Sequence, residues 1–118
     1  MIQKLELSGV NFDVDDDLRK YAIKKIGRLD QYAPRQARAS FHTAIKLKEG
    51  KGKQKDERTC EVIMHLPHET LTIHETTINM YAAIDIAEAK LKTQLKKYKD
   101  LHADPKLHRR LFARTTTE

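Results

Sequence analysis

NMYAAIDIAEAKLKTQLKKYK, running from Asn79 to Lys99, places an apolar stripe and then a dense run of lysines on one continuous helical pattern. At about 100° per residue, Met80, Ile84, Ala87, Leu91, Leu95 and Tyr98 fall on one face, so packing against a core fixes this helix more than propensity does. The second half changes character. Lys90, Lys92, Lys96, Lys97 and Lys99 follow Glu88 with no intervening acid, which gathers positive charge where the helix macrodipole favours it. Lys90, Gln94 and Lys97 lie on one shoulder of the stripe, and Lys92, Lys96 and Lys99 lie on the other side and the back. A polyanion can therefore touch more than one side. Equally, lysines on an exposed helix solubilise a protein without any partner.

The chain has 118 residues, 39% of them apolar and 6% aromatic. That suffices for one small domain with a single core, burying roughly 60 to 70% of the unfolded surface. The formal net charge of +6 and the pI near 9.5 favour an acidic partner, either nucleic acid or an anionic membrane surface, through steering and counterion release. No apolar run approaches the roughly 20 residues that span a bilayer. Lys4 and Glu6 interrupt the apolar positions of the first segment, so a signal peptide is not expected and a cytoplasmic location is. Cys60 is the only cysteine, which excludes an internal disulfide, fits a reducing compartment and leaves no CxxC site. His65 lies in the same expected strand at an odd spacing, hence on the opposite face, so Cys60 reads as a buried structural thiol and not a nucleophile.

Ile2 to Gly9 reads as a first strand, with Leu5 and Leu7 on one side and Lys4, Glu6 and Ser8 on the other. Asp15 is a plausible N-cap for a helix running to about Tyr32, with Asp16 and Asp17 in its first turn and Pro34 beyond its end. The acid cluster from Asp13 to Asp17 offers no EF-hand register, because the central glycine and terminal glutamate are not both supplied. On this helix Leu18, Ala22, Ile26, Leu29 and Tyr32 form the core face. Lys25 projects along its edge and, with Lys24 and Arg28, extends a basic surface beside that of the last helix.

Ala37 to Lys48 alternates as a half-buried strand, with Ala39, Phe41, Thr43, Ile45 and Leu47 inward and Arg38, Ser40, His42 and Lys46 outward. Glu49 to Arg58, EGKGKQKDER, reads as a mobile, lysine-rich hairpin loop that lacks the spacing of a phosphate-cradling loop. Cys60, Val62, Met64 and Leu66 then face inward, and Leu71 with Ile73 form a short fourth strand after a turn at Pro67 and His68. The order is β-α-β-β-β-α. A largely antiparallel four-stranded sheet with both helices packed on its apolar face makes this an α+β two-layer sandwich. Glu6, Ser8, His42, Lys46, Glu61, His65, Thr72 and His74 would occupy the open face. The three histidines come from separate strands without zinc-ligand spacing, so they read as solvated or partner-facing. After Leu101 the periodicity ends. The basic segment 102–118 is a flexible C-terminal tail, either an arm that orders on a partner or a frayed end, leaving residues 1–101 as the folded domain.

MYAAID at Met80 to Asp85, KLKTQLKKYK at Lys90 to Lys99 and DLRKYAIKKIGRLDQY at Asp17 to Tyr32 together resemble the ribosome hibernation promoting factor family, which includes the ribosome-associated translation inhibitor called protein Y. The resemblance covers roughly residues 1 to 101. It implies a fold shaped like double-stranded RNA-binding domains, the small ribosomal subunit and its rRNA as partner, and a site in the decoding channel that overlaps mRNA and the A-site and P-site tRNAs. It also implies inhibition of translation in idle ribosomes. Matching the family's positions one by one leads to Lys25, Arg28, Lys90, Gln94, Lys97 and Lys99, and the neighbouring Lys24 and Lys96 complete the expected rRNA-binding set. Two positions depart from the pattern: Asn79 stands where an acid is common, and Thr93 where an arginine is. The chain looks like a short form, because it ends before the C-terminal dimerisation domain of the long factors, and it is expected to be a monomer when free.

No paired carboxylates, nucleophile with a base, metal-ligand spacing or glycine-rich phosphate loop stands out. An enzyme, a cofactor, a metal and a small-molecule substrate are therefore not expected. Two alternatives to the hibernation factor remain: a generic double-stranded RNA module that reads the A-form backbone, and a regulator that offers its exposed sheet to a protein partner.

Overall fold

In the computed structural model, residues 1–34, 38 and 41–102 are described. The elements run β1 (Lys4–Val10), α1 (Asp16–Gly27), a 3-10 turn (Arg28–Tyr32), β2 (His42–Glu49), a second 3-10 turn (Gly52–Gln54), β3 (Arg58–Leu66), β4 (Glu69–Thr77) and α2 (Met80–His102). Alternation fixes which face of the sheet is dry. Thr43, Ile45 and Leu47 of β2 and Cys60, Val62, Met64 and Leu66 of β3 are buried, while His42, Lys46 and His65 between them are exposed. This period of two is that of a sheet covered on one side.

The strand order is β1-β2-β3-β4. β1 and β2 are parallel because α1 crosses between them, and the two following hairpins are antiparallel. Both helices cover the dry face, α2 against β3 and β4, and α1 against α2 and β1. The result is the expected α+β two-layer sandwich. Ile84, Leu91 and Leu95 of α2 are fully buried, each side chain contributing about 2 kcal/mol of transfer free energy. The Tyr98 hydroxyl donates to the Pro67 carbonyl at 2.7 Å, which ties the far end of α2 to the β3–β4 turn. Burial raises the Tyr98 pKa, with a smaller contribution from Glu69. Cys60 is buried as expected, and burial, aided by Glu75, pushes its thiol up to about 12, which leaves it without nucleophilic thiolate at neutral pH.

Several boundaries differ from the sequence reading. The first strand runs Lys4–Val10 instead of Ile2 to Gly9. The first helix does not stay α-helical to Tyr32. It ends at Gly27, where the Gly27 carbonyl accepts the Ile2 N–H at 2.8 Å, and the chain continues as a 3-10 turn to Tyr32. A Cβ at Gly27 would stand 2.7 Å from the end of the flexible Met1 side chain, which would have to shift to make room for it. β2 begins at His42, not Ala37. Arg38 belongs to no strand, because its guanidinium donates to the Gln31 and Ala33 carbonyls at 3.1 and 3.2 Å; positions 37, 39 and 40 lie outside the described residues.

β4 is as long as β3, since the two pair continuously from Leu66 and Glu69 to Arg58 and Thr77. The hairpin turn places His68 at φ 70° after Pro67, the type II pattern with proline at its first central position. The Glu49 to Arg58 loop follows a defined course: Gly50 N–H donates to the Glu57 carbonyl at 2.9 Å, and Arg58 donates to the Lys55 carbonyl at 2.8 Å. α2 reaches His102, and the rest of the expected tail lies outside the described residues.

Candidate nucleic-acid interface

Helix capping sets where the basic side chains emerge. Asp15 Oδ1 accepts the Leu18 N–H at 2.7 Å, Asp16 and Asp17 occupy the first turn of α1, and Lys24 and Lys25 its last, which complements the dipole at both ends. Asn79 Oδ1 accepts the Tyr81 N–H at 2.9 Å at the start of α2. Asparagine caps a helix as well as aspartate does, so the missing acid at this position costs the helix little.

α1 and α2 run parallel, because partners advance together along both. The Tyr21 and Tyr81 rings meet edge to face at 4.9 Å, and the Tyr21 hydroxyl donates to Asp85 Oδ1 at 2.5 Å. Lys25 Nζ lies 3.7 Å from Asp85 and 3.8 Å from Glu88. Arg28 donates to Glu88 Oε2 from Nη2 at 3.0 Å and from Nε at 3.3 Å. Farther along, Lys92 and Lys96 place their ammonium groups 4.9 and 5.7 Å from the centre of the Tyr32 ring, within cation–π range. The hydrogen bond to Asp85, more than burial or neighbouring charge, pushes the Tyr21 hydroxyl up to about 12. It is therefore a neutral donor across the physiological range.

The other flank of α2 faces β4. Lys90 pairs with Glu75, and Lys90, Gln94 and Lys97 line a shallow recess of about 360 Å³ together with Ala89 and Thr93. The eight expected rRNA-binding residues thus divide between two flanks. Lys25, Arg28 and Lys90 are paired to carboxylates. Among the described residues, no carboxylate lies within ion-pair distance of Lys24, Lys96, Lys97 or Lys99, all of which are exposed. Half-exposed pairs of this kind contribute about 0 to 1 kcal/mol each, so what they chiefly set is the local charge and the direction of the side chains.

Sequence reading missed Tyr21, Tyr32, Asp85 and Glu88 as parts of this surface. A signal was present: Tyr81, Asp85, Glu88, Lys92 and Lys96 follow one flank of α2 at helical spacing. The open face of the sheet carries the residues expected of it, with the His42 and His65 rings adjacent at a centroid distance of 5.8 Å and tilted by 35°. His42 Nε2 lies 3.7 Å from Glu6, and Lys48 donates to Glu61 at 3.4 Å. Among the described residues, no group of three or more His, Cys, Asp or Glu is placed to hold a metal ion. No helix there is long and apolar enough to cross a membrane.

Residues 5–102 match the protein family described as Sigma 54 modulation protein / S30EA ribosomal protein. The chain is 32% identical over 98 residues to the ribosome hibernation promotion factor of Lactococcus lactis subsp. cremoris (strain MG1363), a match covering 81% of this chain and 49% of that protein. To the ribosome hibernation promotion factor of Staphylococcus aureus (strain COL) it is 31% identical over 96 residues, covering 81% and 48%. The chain spans about half the length of the curated relatives it matches. Among solved structures, the N-terminal domain of Thermus thermophilus Protein Y superposes with a TM-score of 0.67 at 30% identity, covering 83% of this chain and 99% of that domain. A ribosomal subunit interface protein from Coxiella burnetii gives 0.65 at 25% identity, covering 80% and 96%.

Proposed function

Because the chain belongs to the Sigma 54 modulation protein / S30EA ribosomal protein family, we propose that it is a non-enzymatic ribosome hibernation factor of the cytoplasm. It binds rRNA in the decoding channel of the small subunit, overlaps the positions of mRNA and of the A-site and P-site tRNAs, and inhibits translation in idle ribosomes by occupancy. Residues 1–101 form the ribosome-binding unit, monomeric when free. The segment 102–118 is a basic tail outside it. Lys24, Lys25, Arg28, Lys90, Gln94, Lys96, Lys97 and Lys99 carry the rRNA contacts.

The observation that supports this most directly is the position of the cations that no carboxylate among the described residues pairs. Lys24, Lys96, Lys97 and Lys99 emerge toward the C-terminal ends of two parallel helices, where the negative ends of both dipoles favour them. Phosphates supply the complementary charge at several fixed points. Neutralising about six phosphates would make affinity fall roughly a thousandfold between 50 and 200 mM salt.

Co-sedimentation with isolated small subunits and vacant ribosomes across a salt series, with a long RNA duplex as competitor, tests the proposal. Saturable binding near one protein per small subunit, resistant to the duplex, is the expected result. Binding fully displaced by the duplex would instead make the protein a generic double-stranded RNA module. Absent binding would turn attention to the open sheet and a protein partner.

A further inference from the structure

We infer that Glu88 is a specificity-determining residue: it neutralises and aims Lys25 and Arg28, so that this flank is weakly attractive to arbitrary RNA duplex yet preorganised for an RNA site whose phosphates stand at fixed positions. The inference rests on the ribosome-binding function proposed above.

Glu88 is the carboxylate that both cations share, with Oε1 3.8 Å from Lys25 Nζ and Oε2 3.0 Å from Arg28 Nη2. Its side chain is 17% exposed against 48% for Arg28, so the acid lies inward and the guanidinium outward. Asp85 supplies a second carboxylate 3.7 Å from Lys25 Nζ and is itself held by the Tyr21 hydroxyl. Lys25 and Arg28 against Asp85 and Glu88 sum to no net charge, so the cluster exerts little pull on a distant polyanion. That pull is left to Lys24, Lys96, Lys97 and Lys99.

At short range the same cluster behaves differently. Glu88 occupies Nε and Nη2 of Arg28; among the described residues Nη1 makes no hydrogen bond, and the planar fork fixes the direction in which it donates. An arbitrary duplex is held through phosphate charge and can take any register, so it gains nothing from a guanidinium already aimed. A folded RNA site with phosphates at set positions does gain, because part of the rotamer freedom that Arg28 would lose on binding is already restricted in the free protein.

Glu88→Gln removes the charge while keeping the size and an acceptor for Arg28. It is expected to tighten binding to a long RNA duplex about fivefold near 0.15 M salt and to steepen the log–log salt slope by about one. On small subunits the added charge is opposed by the loosened guanidinium, so the ratio of subunit to duplex affinity falls. Asp13→Asn, an equal charge change on an exposed loop residue away from the cluster, should leave that ratio as it is.

The charge-balanced double variant Arg28→Gln, Glu88→Gln reads the same device independently of how well Glu88→Gln folds. It should keep the duplex affinity and salt slope of the wild type while lowering subunit affinity about fivefold. A ratio unchanged in Glu88→Gln, or equal losses on both ligands in the double variant, would overturn the inference. Wild-type protein that fails to bind small subunits would instead sink the function proposed above.

Discussion

The outer surface of the helices and the open face of the sheet are both polar but distribute their charge in opposite ways. Across the sheet, opposite or neutral partners face each other in register: Lys46 opposes Glu61, Glu61 opposes His74, and Thr59 bonds Thr76 at 2.8 Å. Acids and cations are interleaved and the face has no strong sign. On the helices, Asp16 and Asp17 stand in the first turn of α1 and Asp85 and Glu88 in the first half of α2, while Lys24 and Lys25 close α1 and Lys90, Lys92, Lys96, Lys97 and Lys99 crowd the second half of α2, with Asp100 the acid among them. Segregation of charge, more than its amount, is what turns a solvated face into a surface for a polyanion.

Reversing the segregated charges should break the contrast most strongly. Lys96→Glu, Lys97→Glu and Lys99→Glu together should lower small-subunit affinity about a thousandfold at near-physiological salt, with an unchanged circular dichroism spectrum. The paired substitution His42→Ala with Glu61→Gln on the sheet should shift it less than about twofold, since scattered surface charges are screened and compensated. If the sheet variant loses as much as the helix variant, the open face is the docking surface. Co-sedimentation reads both.

A smaller effect separates the charged surface from the core beneath it. Leu95 is fully buried one turn from the lysines, and Leu95→Ala should destabilise the fold by about 3 kcal/mol, seen as a lower denaturant midpoint. Subunit affinity of the molecules that remain folded should hold. A loss of affinity without a loss of stability would mean that packing at Leu95 positions the lysines directly.

The smallest expected effect concerns the link between the helices. Tyr21→Phe removes the hydrogen bond to Asp85 and should cost about 1 kcal/mol. The Tyr21 hydroxyl is raised from 10.0 to about 12, first by that bond. The folded state therefore holds its proton more tightly than the unfolded state, so the stabilisation is complete below pH 10 and disappears as pH rises through about 12. Ultraviolet titration of tyrosinate should show that Tyr21→Phe removes amplitude from the late-titrating part of the curve, to which Tyr98 also contributes; loss of amplitude near the ordinary tyrosine value of 10.0 instead would remove the bond from the account.

Much of the fold was legible because its signals are local. The alternation of Thr43, Ile45 and Leu47, the stripe from Met80 to Tyr98 and the Asp15 cap each depend on a few neighbouring residues, and each stands where the sequence placed it. The end of α1 was not legible, since it depends on Ile2 reaching back to the Gly27 carbonyl from a distant part of the chain. Nor was the start of β2, where Arg38 is drawn to carbonyls of the preceding turn. The basic positions on the helices could be marked from helical spacing, but not the partners that hold them.

The sequence by itself determined the faces: which side of each strand and helix is apolar, and that lysines crowd the end of α2. Those properties follow from periodicity and from side-chain chemistry, which need no knowledge of the rest of the chain. Only the tertiary structure decided that Arg28 meets Glu88, 60 residues away, and that Lys90 meets Glu75. Ion pairing depends on distances of a few ångströms, and those were set when α1 and α2 came to lie parallel on the sheet.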